Sequence, residues 1–399
     1  MKPKVLFMIL VVLIFAASMA VEAQAAEKEI KLGFISDFTG PLALHGIAGR
    51  QGAILAMEEV NYTVAGRPIK FIVEDEASDP AVALDKARKL VESDKVCMFI
   101  GPFHGGCGGA VAGYNSKVGI PHLLPWYPVA NDAMAKATWS WVTFGTLSQV
   151  PFAMGAYTYD KLGYRTLTTM ATDYVAGREF IAGIQAAFVE GRGGKIIQEQ
   201  WIPMNTKDVS PYISALKDAD ALMAWFMGVT VIPGLSQIRE FKVKMPVVMP
   251  QSGHSSNPKI MDQMGDNCVG IITPDAYVWT IDNPKNKKFV EAYMKRWKEV
   301  PAGTAYGSYA SAQIVLAALE KTGGDTSPKA IAKAMDETNY PGVLGNIRFG
   351  DARVGVGNYV IYQHVKVDNK ITAEVLANCT VATKRVGDKL VHNLVSKSW

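Results

Sequence analysis

The sequence predicts an α/β protein built from two similar Rossmann-like lobes, each with a parallel sheet. Short apolar runs such as Val96–Ile100 alternate with amphipathic helical segments such as Ala81–Val91, and this alternation is typical of βαβ units. The same alternation begins again after Trp141–Phe144. A chain of 399 residues is too long for one ordinary hydrophobic core, but it suits two domains.

The first residues have the pattern of a secretion signal. Lys2 and Lys4 precede the apolar run Val5–Ala20, and Ala23-Gln24-Ala25 has the small residues that signal peptidase accepts. A transmembrane anchor is the alternative, but the run is shorter than the roughly 20 residues that a spanning helix needs. We therefore expect residues 1–25 to be a signal peptide and the mature chain to work outside the cytoplasm.

Charge and cysteine content argue against several classes of protein. The formal net charge is +4 without a long basic run, so neither nucleic acid nor an anionic membrane surface is an expected partner. The four cysteines are too widely spaced for a paired metal-binding motif. One or two disulfides are compatible with an oxidising compartment. These cysteines are Cys97, Cys107, Cys268 and Cys379.

Four apolar runs in the first half predict parallel strands. Ligands of open parallel sheets bind outside the carboxyl ends of the strands. We therefore expect His45, which follows the first strand, to lie near Trp126 and Tyr127, which follow the fourth. The predicted strands are Ile30–Ile35, Ile69–Glu74, Val96–Ile100 and Ile120–Leu124.

The second half repeats this organisation and then returns to helices. Asp173-Tyr174 follows the first strand of this half, Gln251 follows the fourth, and Tyr277 follows the fifth, so all three are candidates for the same cleft. Two further strands are predicted near the C-terminus, at Gly345–Gly350 and Tyr359–Val367. The strands of the second half are Thr166–Ala171, Ile196–Trp201, Ala221–Met227, Val247–Met249 and Val269–Thr273.

A glycine-rich loop after the third strand is the most distinctive feature of the sequence. We expect it to lead into a helix that begins near Ala110. Glycines let a backbone approach a ligand closely, and the first amides of a helix are unpaired donors at the positive end of its dipole. The loop therefore suits an anionic or polar ligand. Its glycines are Gly101, Gly105, Gly106, Gly108 and Gly109.

Enzymatic, nucleotide and metal sites have weaker support. His104-Gly105-Gly106 with Cys107 could serve a hydrolase, but no GxSxG motif occurs and no base is identifiable for the thiol. The loop also lacks the spacings of nucleotide-binding motifs. His45, His104 and His254 lie in separate loops without a metal-ligand spacing. We expect neither catalysis, a cofactor nor a metal.

Several segments together resemble the periplasmic substrate-binding proteins of ABC importers, of the Leu/Ile/Val-binding type. The resemblance implies a type I periplasmic-binding fold, in which two lobes joined by three hinge crossovers close on a ligand. It also implies a periplasmic monomer that docks on a membrane permease. Lobe I would comprise residues 26–147 plus 280–355, and lobe II residues 148–279 plus 356–399. The segments are Gly33–Gly52, Asp79–Val91, Gly101, Ile120-Pro121, Asp173–Gly177 and Tyr309.

The candidate site departs from the pattern of that family. Members that hold amino acids usually place hydroxyl side chains after the third strand, where this chain has Gly105, Gly106, Cys107 and Gly108. Trp126-Tyr127 replaces a small hydroxyl-bearing turn, whereas Tyr174 is retained. The acid that would pair with a ligand ammonium falls close to Gln251, which is neutral.

These departures predict a small, partly hydrophobic solute, most simply an aromatic carboxylate. Its ring would stack on Trp126 or Tyr127, with the anionic end toward the glycine loop. A buried ammonium without a partner costs several kcal/mol, which disfavours an amino acid. If Asp173, Asp275 or another acid pairs with the ligand ammonium in place of the missing acid, the alternative ligand is a branched-chain or other amino acid. A ligand sensor of the same fold is a further alternative function.

Overall fold

The computed structural model describes residues 29–126, 130–252 and 256–399. The predicted signal peptide, Tyr127 and His254 lie outside the described residues. Within the described ranges, no helix combines the length and the apolar character that crossing a bilayer requires.

The first sheet has six strands in the order β2-β3-β1-β4-β5-β6. All neighbours pair in parallel except β2 and β3. The central strands are almost wholly buried because helices cover both faces, as their continuous apolar sequences predict. The strands are β1 (Ile30–Ser36), β2 (Thr63–Val64), β3 (Arg67–Asp75), β4 (Met98–Ile100), β5 (His122–Leu124) and β6 (Ser140–Val142).

The second sheet has eight strands in the order β16-β15-β14-β11-β10-β9-β7-β8. Strands β7 to β11 pair in parallel, and β14 to β16 extend the sheet with antiparallel pairs. A small hairpin consists of β12 (Tyr340–Gly342) and β13 (Gly345–Ile347). The sheet strands are β7 (Thr166–Thr172), β8 (Lys195–Ile202), β9 (Ala221–Trp225), β10 (Val247–Val248), β11 (Ile272–Asp275), β14 (Gly357–Val367), β15 (Lys370–Val386) and β16 (Lys389–Lys397).

The α-helices alternate with the parallel strands and then form a group before β12. Several begin with a proline at the first turn, where the missing N–H costs nothing. They are α1 (Ala43–Glu59), α2 (Pro80–Arg88), α3 (Gly105–Val118), α4 (Asn131–Lys136), α5 (Gln149–Asp160), α6 (Val175–Ile184), α7 (Ser210–Ser214), α8 (Val231–Glu240), α9 (Pro258–Met264), α10 (Pro284–Trp297), α11 (Gly303–Lys321) and α12 (Pro328–Asp336).

The chain passes between the lobes at residues 143–148, 276–283 and 348–356. After β11 it returns to the first lobe, where α10 and α11 pack on α1. Gly52 of α1 lies so close to α11 that a Cβ atom there would fall 1.9 Å from the carbonyl oxygen of Ala305. Arg296 of α10 also forms an ion pair with Glu58 at 3.0 Å. The fold prediction of two α/β lobes joined by three crossovers is confirmed.

One local prediction was wrong. The glycine-rich segment is not a loop as far as Gly109, because α3 begins at Gly105. Glycine disfavours a helix by about 1 kcal/mol relative to alanine, but burial of Cys107 and Val111 against the first sheet holds this one in place. The strands β15 and β16 were also not predicted, since most of their outward positions are exposed and the apolar alternation is weak.

Candidate functional site

A pocket with about 580 Å³ of empty space, open solvent included, lies in the cleft between the lobes, at the carboxyl ends of strands from both sheets. Most of its wall is aromatic or aliphatic. The lining residues are Leu42, His45, Phe103, His104, Gly105, Trp126, Leu147, Tyr174, Ala176, Phe180, Trp225, Met227, Gln251 and Thr304.

The lobe I wall is formed by flat rings on three elements. His45, in the first turn of α1, stacks on Phe103 with a centroid distance of 5.3 Å and an interplanar angle of 18°. Trp126 follows β5 and packs edge-on against Phe144 at 5.2 Å. The Trp126 ring lies so close to α11 that a Cβ on Gly307 would come within 2.4 Å of it. A glycine at this position therefore makes room for the indole.

The lobe II wall is an aromatic cluster at the ends of β7 and β9. Tyr174 stacks on Trp225 at 5.8 Å and 20°, and Phe180 meets the same indole edge-on at 4.8 Å. The hydroxyl of Tyr174 donates a hydrogen bond to Sδ of Met227 at 3.4 Å. Burial raises the pKa of Tyr174, so the phenol is neutral at physiological pH. These contacts hold the indole of Trp225 in one orientation.

The cavity has no charged wall in the part of the chain that the structure describes. Its lining there includes neither Asp, Glu, Lys nor Arg. Asp275 accepts hydrogen bonds from the hydroxyl of Ser252 and the N–H of Ala276. Asp173 pairs with Arg178 at 2.8 Å. Neither of the two acids that could substitute for a missing ammonium partner therefore lines the cavity.

Two polar atoms in the wall are buried without a hydrogen-bond partner within the described chain. They are Nε1 of Trp225, in lobe II, and Oγ1 of Thr304, in the first turn of α11. Trp225 is 3% exposed and Thr304 is 4% exposed. Because a buried polar group without a partner is costly, both side chains are candidates for a hydrogen bond to a ligand.

A buried carboxyl pair lies behind the start of α3. Glu76 accepts hydrogen bonds from the backbone N–H groups of Phe103 and His104, each at 3.2 Å. Asp37 is fully buried beside it and accepts a hydrogen bond from the hydroxyl of Ser78 at 2.5 Å. Burial, and then the charge of Asp37, raise the pKa of Glu76 well above its usual value. The environment therefore favours the protonated form of Glu76.

The Cys107 thiol is not arranged for nucleophilic attack. Its Sγ lies 3.3 Å from Nδ1 of His104, but the side chain is fully buried. Burial, together with the nearby acids Glu76 and Asp37, raises the pKa of the thiol, and burial lowers the pKa of His104. The thiolate that attack requires is thus disfavoured. None of the four cysteines forms a disulfide.

The structure brings together six of the residues that the sequence singled out. Gly106, Cys107 and Gly108 lie within α3 and do not line the cavity, and Tyr277 is fully buried against Tyr306 at 4.5 Å. Tyr127 lies outside the described residues. In the described ranges, no group of three or more His, Cys, Asp or Glu side chains could hold a metal ion. The six lining residues are His45, His104, Gly105, Trp126, Tyr174 and Gln251.

Sequence reasoning missed most of the lobe II wall. Trp225 and Met227 end a strand that was predicted, and the rule about carboxyl ends could have identified both. Phe180 lies one turn into α6, where it looks like a core residue. Thr304 comes from a helix that reaches the cleft only after the chain has returned to lobe I, so the sequence contains no signal for it.

Comparisons with known proteins agree with this architecture. Residues 29–370 match the family model of periplasmic binding proteins. A Leu/Ile/Val-binding protein homolog 6 from Brucella melitensis is 25% identical over 327 residues, which cover 80% of this chain and 82% of the relative.

Two solved structures resemble the fold closely. An ABC transporter substrate-binding protein from Sphaerobacter thermophilus superimposes with a TM-score of 0.82 and 25% identity, covering 88% of this chain and 97% of that one. A solute-binding protein of an ABC transporter from Rhodopseudomonas palustris BisB5, in complex with 3,4-dihydroxybenzoic acid, gives a TM-score of 0.80 with the same identity and coverage.

The buried carboxyl pair predicts a pH dependence of stability. The pKa of Glu76 is raised in the folded state. Its contribution to the free energy of unfolding is therefore complete below about pH 4.5, and it is lost as the pH rises through the folded-state pKa. Gln can accept the same two N–H groups without titrating. Urea unfolding should therefore show that Glu76→Gln gains stability relative to wild type as the pH rises.

The control for this comparison is Glu374→Gln, since Glu374 is exposed on β15. If Glu76→Gln differs from wild type between pH 5 and pH 8 no more than this control does, a raised pKa of Glu76 is contradicted.

Proposed function

Because the chain belongs to the periplasmic binding protein family, we propose that its cavity binds a small aromatic carboxylate and that the protein delivers this solute to an ABC importer. The observation that carries the proposal is the aromatic wall without an acid among its described residues. We further propose that residues 1–25 direct the chain to the periplasm, where it acts as a monomer.

The shape and chemistry of the wall favour a flat, partly hydrophobic ligand. Trp126 and Phe103 offer ring faces or edges on lobe I, and Tyr174 with Trp225 and Phe180 do so on lobe II. Aromatic pairs gain about 0.5–1.5 kcal/mol beyond the burial of their area. An aromatic ring between these two surfaces would be in contact with both lobes.

The absence of an acid in the described wall weighs against an amino acid. A ligand ammonium would be buried beside Gln251 without a carboxylate, and an unpaired buried charge costs several kcal/mol. A carboxylate alone needs only hydrogen-bond donors, which helix amides, hydroxyls and an indole N–H can supply. The Rhodopseudomonas palustris protein, which holds 3,4-dihydroxybenzoic acid, supports this choice of ligand class.

Closure of the cleft accounts for function without any covalent step. The ligand would touch both lobes only when the lobes approach each other about the three crossovers. In this proposal lobe I comprises residues 26–147 with 280–355, and lobe II comprises residues 148–279 with 356–399. Binding energy then shifts the equilibrium toward the closed form, which the permease recognises. We propose as ligand-binding residues the six that the sequence identified, together with Phe103, Phe180, Trp225, Met227 and Thr304.

Branched-chain amino acids are the second candidate, because the Brucella melitensis relative is named a Leu/Ile/Val-binding protein homolog. A sensor of the same fold would use the same closure. Neighbouring genes for a permease and an ATPase would favour import over sensing.

Calorimetric titration separates the two ligand classes. The purified protein should bind benzoate, 4-hydroxybenzoate or 3,4-dihydroxybenzoate saturably, because their rings match the walls and need no ammonium partner. Leucine, isoleucine and valine should give no saturable heat. Tight binding of leucine with no response to any of the three acids would contradict the proposal.

The hydroxyl of Thr304 should contribute to binding. Thr304→Val keeps the shape of the side chain but removes a buried hydroxyl in the wall, so affinity for the aromatic acid should fall about three- to tenfold. Thr158→Val is the matched control, since Thr158 is also a buried helical threonine whose hydroxyl has no hydrogen-bond partner, but it lies outside the wall. Equal affinities of both variants and wild type would exclude a hydrogen bond from Thr304.

A further inference from the structure

We propose that residues 256–259 at the start of α9 and residues 299–303 between α10 and α11 form a latch across the cleft, which slows the release of a bound solute. Its polar contact is the ion pair of Lys259 and Glu299. The inference rests on the proposed function, because a latch matters only for a protein that works by closure.

The ion pair joins the two lobes. Lys259 belongs to α9, which lies between β10 and β11 of the second sheet. Glu299 follows α10, which packs on α1 of lobe I. Nζ of Lys259 lies 2.8 Å from Oε1 of Glu299. Because neither residue belongs to a crossover, an opening of the lobes as rigid bodies would separate the two charges.

Each charged residue lies at a well-defined helix end. The side chain of Asn257 caps α9 by accepting a hydrogen bond from the N–H of Lys259 at 3.0 Å, and Pro258 occupies the first turn. Lys298 ends α10 in the left-handed conformation, with a φ of 61°, immediately before Glu299. A fixed backbone on both sides limits the conformational entropy that is lost when the two side chains pair.

The contact between the lobes continues from the ion pair to the ligand wall. Ser256 and Asn257 are only 2% and 4% exposed. A Cβ atom added to Gly303, the first residue of α11, would lie 3.0 Å from Oγ of Ser256 and 3.3 Å from Cζ2 of Trp126. Lobe II therefore touches lobe I directly beside Trp126, which lines the cavity.

The position and exposure of the ion pair determine which quantity it should change. The side chains of Lys259 and Glu299 are 56% and 39% exposed, and a pair of this kind changes an equilibrium by about fivefold at most. The pair forms only after the ligand has entered and the lobes have approached each other. Its effect should therefore appear in the dissociation rate of the ligand and not in the association rate.

Charge reversal tests the latch in stopped-flow measurements of 4-hydroxybenzoate binding, with tryptophan fluorescence as the signal. Lys259→Glu and Glu299→Lys should each raise the dissociation rate about two- to fivefold, because like charges then face each other. The double variant with both reversals should return to a rate close to that of wild type. The matched control is the ion pair of Lys321 and Glu337, which is similarly exposed but lies within lobe I, and its reversals should leave the dissociation rate unchanged.

The two single reversals also distinguish a latch from a general effect of charge on an anionic ligand. One variant becomes more negative and the other more positive, so a general effect would act on them in opposite directions. Opposite changes, or no change in either single variant, would overturn the latch. A double variant that releases the acid as fast as the single variants would overturn it as well.

The outcomes separate this inference from the proposed function. Binding of the aromatic acid by wild type with unchanged dissociation rates in both reversals overturns the latch alone. If wild type binds leucine and no aromatic acid, the proposed function fails. The latch is then judged with leucine and the same variants, and it is overturned if neither reversal accelerates the release of leucine.

Discussion

The carboxyl group of Glu76 holds the start of the glycine-rich helix from inside the protein. Two backbone N–H groups that look available to a ligand in the sequence donate instead to this side chain, each at 3.2 Å. Burial, and then the charge of Asp37, raise the pKa of Glu76 and so favour its protonated form, which is compatible with burial of the pair. The consequence for function is that these two N–H groups are not available to a ligand.

The two aromatic walls, one on each lobe, fit a binding protein that works by closure. The rings of Trp126 and Phe103 lie on one lobe, and the cluster of Tyr174, Trp225 and Phe180 lies on the other, so neither lobe alone encloses a ligand. Burial of aromatic area supplies affinity once both walls touch the ring, and a few polar groups fix its orientation. A wall without an acid among its described residues supports the proposal of a ligand that has no ammonium group.

The sequence predicted the part of the site that depends on regular alternation of strands and helices. His45, Trp126 and Gln251 were found because each follows an apolar run, and the carboxyl ends of parallel strands meet at one edge. Features that depend on tertiary contacts were not predictable. The acceptor for the two amides just before α3 is Glu76, which follows β3, and Thr304 reaches the cleft only through the second crossover. Tyr277 follows a strand as the others do, yet it packs into the hinge core against Tyr306.

The central claim is that an aromatic acid, and not a branched-chain amino acid, brings the two lobes together. Small-angle X-ray scattering tests it most directly, because the radius of gyration reports closure without assuming which residues bind. Saturating 4-hydroxybenzoate should reduce the radius of gyration, and leucine at the same concentration should leave it unchanged. A reduction by leucine with no effect of the aromatic acid would contradict the account.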